Sequence, residues 1–318
     1  MVIAFLDLLG FSWLMEYDLK AAYYNLDHFN RIISTKIIDA KCYPKDSCST
    51  VMQQFVENTS ITSFNNMVSI SDSLIIGSDN PDIFVKQLCN LISSAFIESN
   101  KDFRIEIEDI KHVKDEPNLN KETCTVKWEK VCAFPLLFRG GISIGDVIFS
   151  NEMQIINNEA KRNGLNVCGI PYLEATRLEK SGKGPRLFCS HAFVNSLSLE
   201  SKKVIKYVGK IRDEDVYEIV WTYYAFEAMD NWDDKIINIE RCLNTTLLPP
   251  AINLYNYFKD DEINNLHYFE LLKLIFIGAI KYSRDNIGEE SKTIEILKLK
   301  MKESNLPEEL FDISGFVE

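Results

Sequence analysis

Val2-Ile3-Ala4-Phe5-Leu6-Asp7-Leu8-Leu9-Gly10-Phe11 decides how the rest of the chain is read. Val2 to Leu6 is a short continuous apolar run, the pattern of a strand buried on both faces. Asp7 ends it. A carboxylate at that point is costly unless something pairs with it. Two partners suit it: a metal ion, or the start of the following helix, which a buried Asp can cap. Strand, carboxylate, tight glycine turn and helix start together form an arrangement that can hold a cation and a phosphate side by side.

The bulk composition narrows the class. The chain has 318 residues, 46% hydrophobic and 26% charged, which gives a globular protein with ample core. Its formal net charge of −12 disfavours nucleic acid and anionic membranes as partners, since no basic patch stands out to override it. A nucleotide substrate in so acidic a protein needs cations to screen its phosphates. Eight cysteines include no C-x-x-C pair and no zinc spacing, so they are read as reduced thiols of a cytoplasmic protein. The N-terminal run lacks a basic region and is not a signal peptide. The apolar run Leu271 to Ile280 is too short to span a membrane and reads as a buried helix.

Along the chain, the spacing of Leu14, Leu19, Ala22, Leu26, Phe29, Ile32, Ile33 and Ile37 predicts one long helix over about 12–40, then a polar loop over 41–63. Met67 to Gly77 reads as a hairpin with Ser71-Asp72-Ser73 at its tip. Asn80 and Pro81 open a helix as N-cap and first residue. Residues 100–133 read as charged and irregular, with a strand near 123–126. Pro135 to Phe149 reads as two strands bent at Gly145, and 151–168 as a polar stretch. A helix follows Gly169, and strands are expected near 187–189, 207–208 and 216–220. Beyond Trp221 the pattern is helical almost throughout, over about 233–246, 249–259, 265–284 and 290–302, so a boundary is placed near 222.

Two strand-end carboxylates, Asp7 and Asp72, can meet if their strands are neighbours, and hard carboxylate oxygens suit Mg²⁺ or Mn²⁺. Two such ions on a nucleoside triphosphate perform two-metal phosphoryl chemistry. The Leu8 carbonyl can complete an ion's shell, and the amides of Leu8, Leu9, Gly10 and Phe11 can cradle the phosphates. Arg177 lies one turn after Leu173 on the third element, where the bland alternative is a surface pair with Glu174.

In this order the pieces resemble the class III nucleotidyl cyclase catalytic domain. The first metal-binding strand and phosphate turn match Phe5 to Phe11, and the second metal-binding hairpin matches Ser71-Asp72-Ser73. The R-x-G-I-x-x-G turn matches Arg139 to Gly145, and the helix bearing the transition-state arginine matches Gly169 to Gly182, with Arg177 in that role. The wording is most similar to the bacterial pyrimidine cyclases of the Pycsar antiphage system.

The resemblance covers residues 1–221. It implies an α+β fold with a ferredoxin-like βαββαβ core, an antiparallel sheet with helices, followed by an all-helical C-terminal extension over 222–318. It also implies a head-to-tail homodimer with sites at the interface, and two Mn²⁺ or Mg²⁺ ions per site held by Asp7, Leu8 and Asp72. The product would be a 3′,5′-cyclic UMP or CMP made from UTP or CTP, acting on a separate effector in antiphage defence.

The pattern also departs from the family. Leu173 stands where an asparagine orients the ribose. Val68 and Asn166 stand at the two purine-reading positions, which favours a smaller base; the bland reading of Asn166 is a loop residue. Lys210 resembles a late lysine that contacts the terminal phosphate. Arg139 can pair with phosphate or, structurally, with Asp146. The histidines match no family site. The alternatives are an adenylyl or guanylyl cyclase, or a degenerate cyclase-homology domain that binds nucleotide as a regulator.

Overall fold

The computed structural model describes residues 1–41, 63–99, 104–112, 124–132, 134–156, 159–228 and 235–311. Strand β1 (Val2–Leu8) lies inside a seven-stranded sheet. It pairs antiparallel with β3 (Ser73–Ser78) on one side and with β6 (Phe138–Ile144) on the other. Strand β2 (Asn66–Ile70) forms a hairpin with β3 through the turn at Ser71 and Asp72, as the sequence predicts. Helices α1 (Phe11–Tyr17) and α2 (Leu19–Lys41) connect β1 to β2, and α3 (Pro81–Glu98) follows β3. The strand order β6-β1-β3-β2 is that of a ferredoxin-like βαββαβ unit, so the fold is α+β as expected.

Three more strands extend the sheet beyond β6. Strand β9 (Leu187–Ser190) runs parallel to β6, and β11 (Glu214–Ile219) and β10 (Ile205–Ile211) complete the order β10-β11-β9-β6-β1-β3-β2. Short helices α5 (His191–Asn195) and α6 (Leu199–Lys202) link β9 to β10.

Side chains alternate across β1 with the period of two that a strand imposes. Val2, Ala4, Leu6 and Leu8 enter the large core, together with Phe29, Phe84, Phe96 and Leu88 of the α1–α3 side. Ile3 joins a smaller cluster with Val68, Ile75 and Ala175, and Phe5 packs against it. Ala175 belongs to α4 (Ile170–Leu178), which lies on this second face over β6 and β1. The approach is close: a Cβ on Gly141 would meet the backbone carbonyl of Ala175. The glycine of the R-x-G-I-x-x-G stretch is therefore required by helix packing.

Four local readings are corrected. The long N-terminal helix is two helices. Asp18 is extended, and its Oδ1 accepts from the amides of Lys20 (3.0 Å) and Ala21 (3.1 Å), so it caps α2 instead of continuing α1. The irregular stretch is a hairpin of β4 (Arg104–His112) on β5 (Cys124–Cys132). The polar stretch is a hairpin of β7 (Ile148–Ile156) on β8 (Glu159–Cys168). Both are two-stranded sheets of their own. Helix α4 stops at Leu178 and tightens into a 3₁₀ turn over Glu179–Ser181. The loop expected at 41–63 lies almost wholly outside the described residues.

The C-terminal stretch is helical, as expected: α7 (Thr222–Ala228), α8 (Lys235–Cys242), a π turn (Leu243–Leu247), α9 (Leu248–Tyr257), α10 (Glu262–Asn286) and α11 (Glu290–Glu303). It shares the sheet's core. Trp221, at the compositional boundary, is wholly buried, and its indole donates to the Pro185 carbonyl (2.8 Å). The Thr222 hydroxyl donates to the Leu274 carbonyl (2.6 Å), against the face of α10 that Gly278 opens. His267 Nδ1 accepts from the Gly184 amide (2.8 Å) in the loop after α4. No helix among the described residues is long and apolar enough to cross a membrane.

Replacing Gly141 by Val should destabilise the fold by about 3 kcal/mol, because the obstacle is a backbone carbonyl that cannot swing aside; urea denaturation measures it. A second expectation concerns His267. Burial, with Lys183 and Arg139 adding and Asp261 opposing, lowers its pKa to about 4. The neutral ring is the form that accepts from Gly184. With the folded value depressed below the ordinary 6.5, stability holds above about pH 6.5 and drains as pH falls toward 4, by on the order of 3 kcal/mol. His267→Gln should flatten that part of the stability–pH curve.

Candidate active site

The strand alternation that sends Leu6 and Leu8 into the core places Asp7 on the opposite face, beneath α4. The β1 register sets its neighbours: Ser73 directly opposite on β3 and Arg139 directly opposite on β6. Both reach it. Ser73 Oγ donates to Oδ1 (3.0 Å), and Arg139 donates to Oδ2 from Nε (3.1 Å) and Nη2 (2.8 Å). Arg139 thus pairs with Asp7 and not with Asp146, the structural partner the sequence suggested.

Glu179, which sequence reasoning missed, faces the same guanidinium. Its Oε1 lies 2.6 Å from Arg139 Nε, and its side chain is only 3% exposed. Burial pushes the Glu179 carboxyl above the usual carboxylate range, against the pull of Arg139; Asp7 adds to the rise and Lys180 opposes it. Oε1 nevertheless receives no hydrogen bond, because the single Nε–H is directed at Asp7. Nothing in Arg177-Leu178-Glu179 marked Glu179 as more than a helix-end carboxylate. Ser73 was visible only as part of the Ser71-Asp72-Ser73 tip.

Asp72 sits half-buried in the β2–β3 turn, after Ser71 at φ 55°. The Leu8 amide donates to the Asp72 carbonyl (3.1 Å), so the two aspartates' backbones are in contact across the sheet end. The Leu9 amide donates to the Leu137 carbonyl (2.8 Å). The expected cradle of four amides is corrected here: those of Leu8 and Leu9 are spent inside the fold. Gly10 and Phe11 have no amide partner among the described residues. Gly10 adopts φ 81°, a left-handed conformation that glycine takes without strain, and so turns the chain into α1. Helix α1 is held from outside: Trp13 packs on Phe258 (5.1 Å between centroids), which stacks on Tyr268 (4.9 Å).

The donor set fits hard divalent cations. It comprises two carboxylates at one sheet end, with backbone carbonyls beside them and no thiolate or imidazole. No cluster of three or more His, Cys, Asp or Glu among the described residues could hold an ion by itself. That is the usual situation for Mg²⁺, which takes one or two carboxylates and completes its shell with water and substrate phosphate.

The other expected residues lie elsewhere in the chain. Arg177 is exposed on α4 with no ion-pair partner among the described residues, and Glu174 bonds to the Ser143 hydroxyl instead of to Arg177. Ile170, Leu173 and Arg177 share the outward stripe of α4, with Ile170 73% and Leu173 52% exposed. Beside Arg177 is a cavity of about 580 Å³ whose charged lining includes Lys180, Arg212, Glu214 and Asp215. Lys210 is exposed on β10, with β11, β9 and β6 between it and β1. Asn166 is exposed on β8, opposite Ser150. Val68 is buried against Ile3, Ile75 and Ala175 and offers no polar group. Within one chain, then, Asp7, the Asp72 turn and Gly10 lie at one sheet end, Lys210 is separated from β1 by three strands, and Arg177 and Asn166 are exposed on α4 and β8.

No family model and no curated protein matches the chain. Solved structures do. An adenylate cyclase of Trypanosoma brucei in its monomeric state is 17% identical over 69% of this chain and 89% of that one, with a TM-score of 0.41. The adenylyl cyclase CyaB from P. aeruginosa is 14% identical over 69% and 92%, at 0.40. The dimeric guanylyl cyclase domain of the RhoGC fusion protein from Blastocladiella emersonii is 14% identical over 69% and 94%, at 0.38. At such identities the activity of this chain has to be argued from its own residues.

The exposed Arg177 side chain has no ion-pair partner among the described residues. Arg177→Ala should therefore leave the unfolding free energy within about 0.5 kcal/mol of the parent in a urea titration.

Proposed function

We propose that this protein is a nucleotidyl cyclase that converts a pyrimidine nucleoside triphosphate, UTP or CTP, into its 3′,5′-cyclic monophosphate and pyrophosphate. The observation that carries the reading is the meeting of Asp7 and the Asp72 turn at the end of β1 and β3, directly before the Gly10 turn. Its complement is Arg177, exposed and with no ion-pair partner among the described residues. Asp7 and Asp72, with the Leu8 carbonyl, would hold Mn²⁺ or Mg²⁺, two per site, which acidify the attacking 3′-hydroxyl and neutralise the triphosphate. The Gly10 and Phe11 amides would donate to phosphate oxygens, with Lys210 the family's candidate for the terminal phosphate.

The active unit in this reading is a homodimer. Ile170 and Leu173, beside Arg177 on this stripe, are exposed apolar side chains, and a second copy seated on them would bring Arg177 to the partner's triphosphate. There it stabilises charge on the α-phosphate as the 3′-hydroxyl attacks in line and pyrophosphate leaves. Because the attack is intramolecular, orientation supplies much of the rate.

The choice of a pyrimidine rests on Val68 and Asn166. The first is apolar and buried, and the second is a single amide, so neither purine-reading set is present. The motif-level likeness to the Pycsar cyclases supports a second-messenger role in antiphage defence, with the product acting on a separate effector in the cytoplasm. Leu173 favours a second reading, a nucleotide-binding module without turnover, because leucine cannot orient a ribose.

Incubation of the purified protein with each of the four NTPs and Mn²⁺, followed by mass spectrometry of products, tests these readings. Cyclic UMP or cyclic CMP is expected. Cyclic AMP or GMP as main product would remove the pyrimidine assignment, and no cyclic product from any NTP would leave the binding module. Asp72→Ala and Arg177→Ala should each abolish turnover. Mixing the two variants should restore about a quarter of parental activity, since half the dimers are mixed and each mixed dimer has one intact site. Absence of rescue would mean that Arg177 does not act across an interface.

A further inference from the structure

One buried group has no use in the scheme above. Glu179 Oε1 is a carboxylate oxygen without a hydrogen bond, in a residue that is almost wholly buried. Unsatisfied buried oxygens are rare and call for a reason. The nearest cation is Arg139, whose Nε is 2.6 Å away yet donates its one hydrogen to Asp7 Oδ2 (3.1 Å). Two carboxylates therefore compete for one N–H. Asp7 also takes the Arg139 Nη2 donor (2.8 Å), so both bonds fall on a single oxygen.

This arrangement conflicts with cation binding. A dication held by Asp7 would repel the guanidinium on its Oδ2, which weakens the Arg139–Asp7 pair. Removing it to nothing would cost the bonds it makes. Glu179 lies within reach and is already short of a donor.

We propose that Glu179 is a positioning residue that takes Arg139 from Asp7 when a divalent cation loads the site. The inference rests on the assignment of Asp7 as a cation ligand. Its location gives the transfer a consequence. Glu179 opens the 3₁₀ turn directly after α4, two residues beyond Arg177. Drawing Arg139 onto Glu179 fastens the end of the helix that presents Arg177. Cation loading at one subunit's Asp7 thereby sets the arginine that serves the other subunit's site.

Mn²⁺ binding to the full chain without nucleotide, followed by electron paramagnetic resonance, tests this. Glu179→Gln removes the charged acceptor, and affinity should fall by about tenfold, within the usual range of coupling between sites. Arg139→Gln removes the competitor, and affinity should rise by about fivefold. In the Arg139→Gln background, Glu179→Gln should have no further effect, because its influence passes through Arg139 alone. If Arg139→Gln does not fold, as judged by circular dichroism, Arg139→Lys serves as the background. A lysine offers one point charge in place of the fork, and the Glu179 effect should shrink severalfold.

Unchanged affinity in Glu179→Gln, or an effect that persists at full size without Arg139, would overturn the proposal. These outcomes are separable from failure of the cyclase reading. A parent protein that makes cyclic nucleotide while the Glu179 variants bind Mn²⁺ normally removes only the positioning role. A parent that neither binds Mn²⁺ nor turns over any NTP removes both.

Discussion

The register of β1 is the constraint on which the rest depends. Phe5 faces Ile75 and Gly141, and Asp7 faces Ser73 and Arg139. A shift by one residue would turn Asp7 into the core and Leu6 and Leu8 out of it, at a cost no cap could offset. Burial of Val2, Ala4, Leu6 and Leu8 thus fixes the carboxylate on the opposite face to within a side chain's width. The hydrophobic effect, which has no direction of its own, is converted by strand geometry into a directional placement of charge.

The second face follows from the first. Helix α4 can lie over β1 and β6 because Gly141 has no side chain, and Ala175 opposite is small. That approach brings Glu179 within reach of Arg139, while the other side of the same helix presents Arg177 outward. One close packing contact therefore serves two chemical groups on opposite faces of one helix. A bulkier pair at this contact would lift both.

The sequence was most legible where a residue type has one physical use. Asn80-Pro81 opened α3 with the Asn80 side chain accepting from the Ile83 amide (3.1 Å), and the apolar runs about Ser71-Asp72-Ser73 formed the hairpin. The strand β1 was read correctly, and so was the bend at Gly145. Legibility failed where polar strands looked like loops. Arg104 to Ile107 alternate charged and apolar residues and the charge masked the period, whereas the strand expected near 123–126 is the start of β5. It failed also at Asp18, whose cap interrupts an otherwise continuous helical pattern. At the site, Asp7, Asp72 and Gly10 were visible because they lie close to a glycine turn or a hairpin tip. Glu179 was not, since its importance comes from a cross-strand arginine in another segment. The spending of the Leu8 and Leu9 amides depends on where the Leu137 and Asp72 carbonyls arrive, which no local pattern encodes.

The seam at Trp221 and Thr222 bears on how the chain is made. Strand β1 pairs with β3 some 70 residues along the chain and with β6 some 130 residues along, and the helix that accepts the Thr222 bond is later still. Contacts of such long range form slowly, because each must first close a large loop. The apolar strand β1 therefore has both its edges paired only after β6 has been made. Until then its apolar surface and unpaired edge are prone to aggregate. The sheet end where Asp7 meets the Asp72 turn and Arg139 is complete only once β6 has joined, so a nascent chain that stops before β6 lacks that constellation.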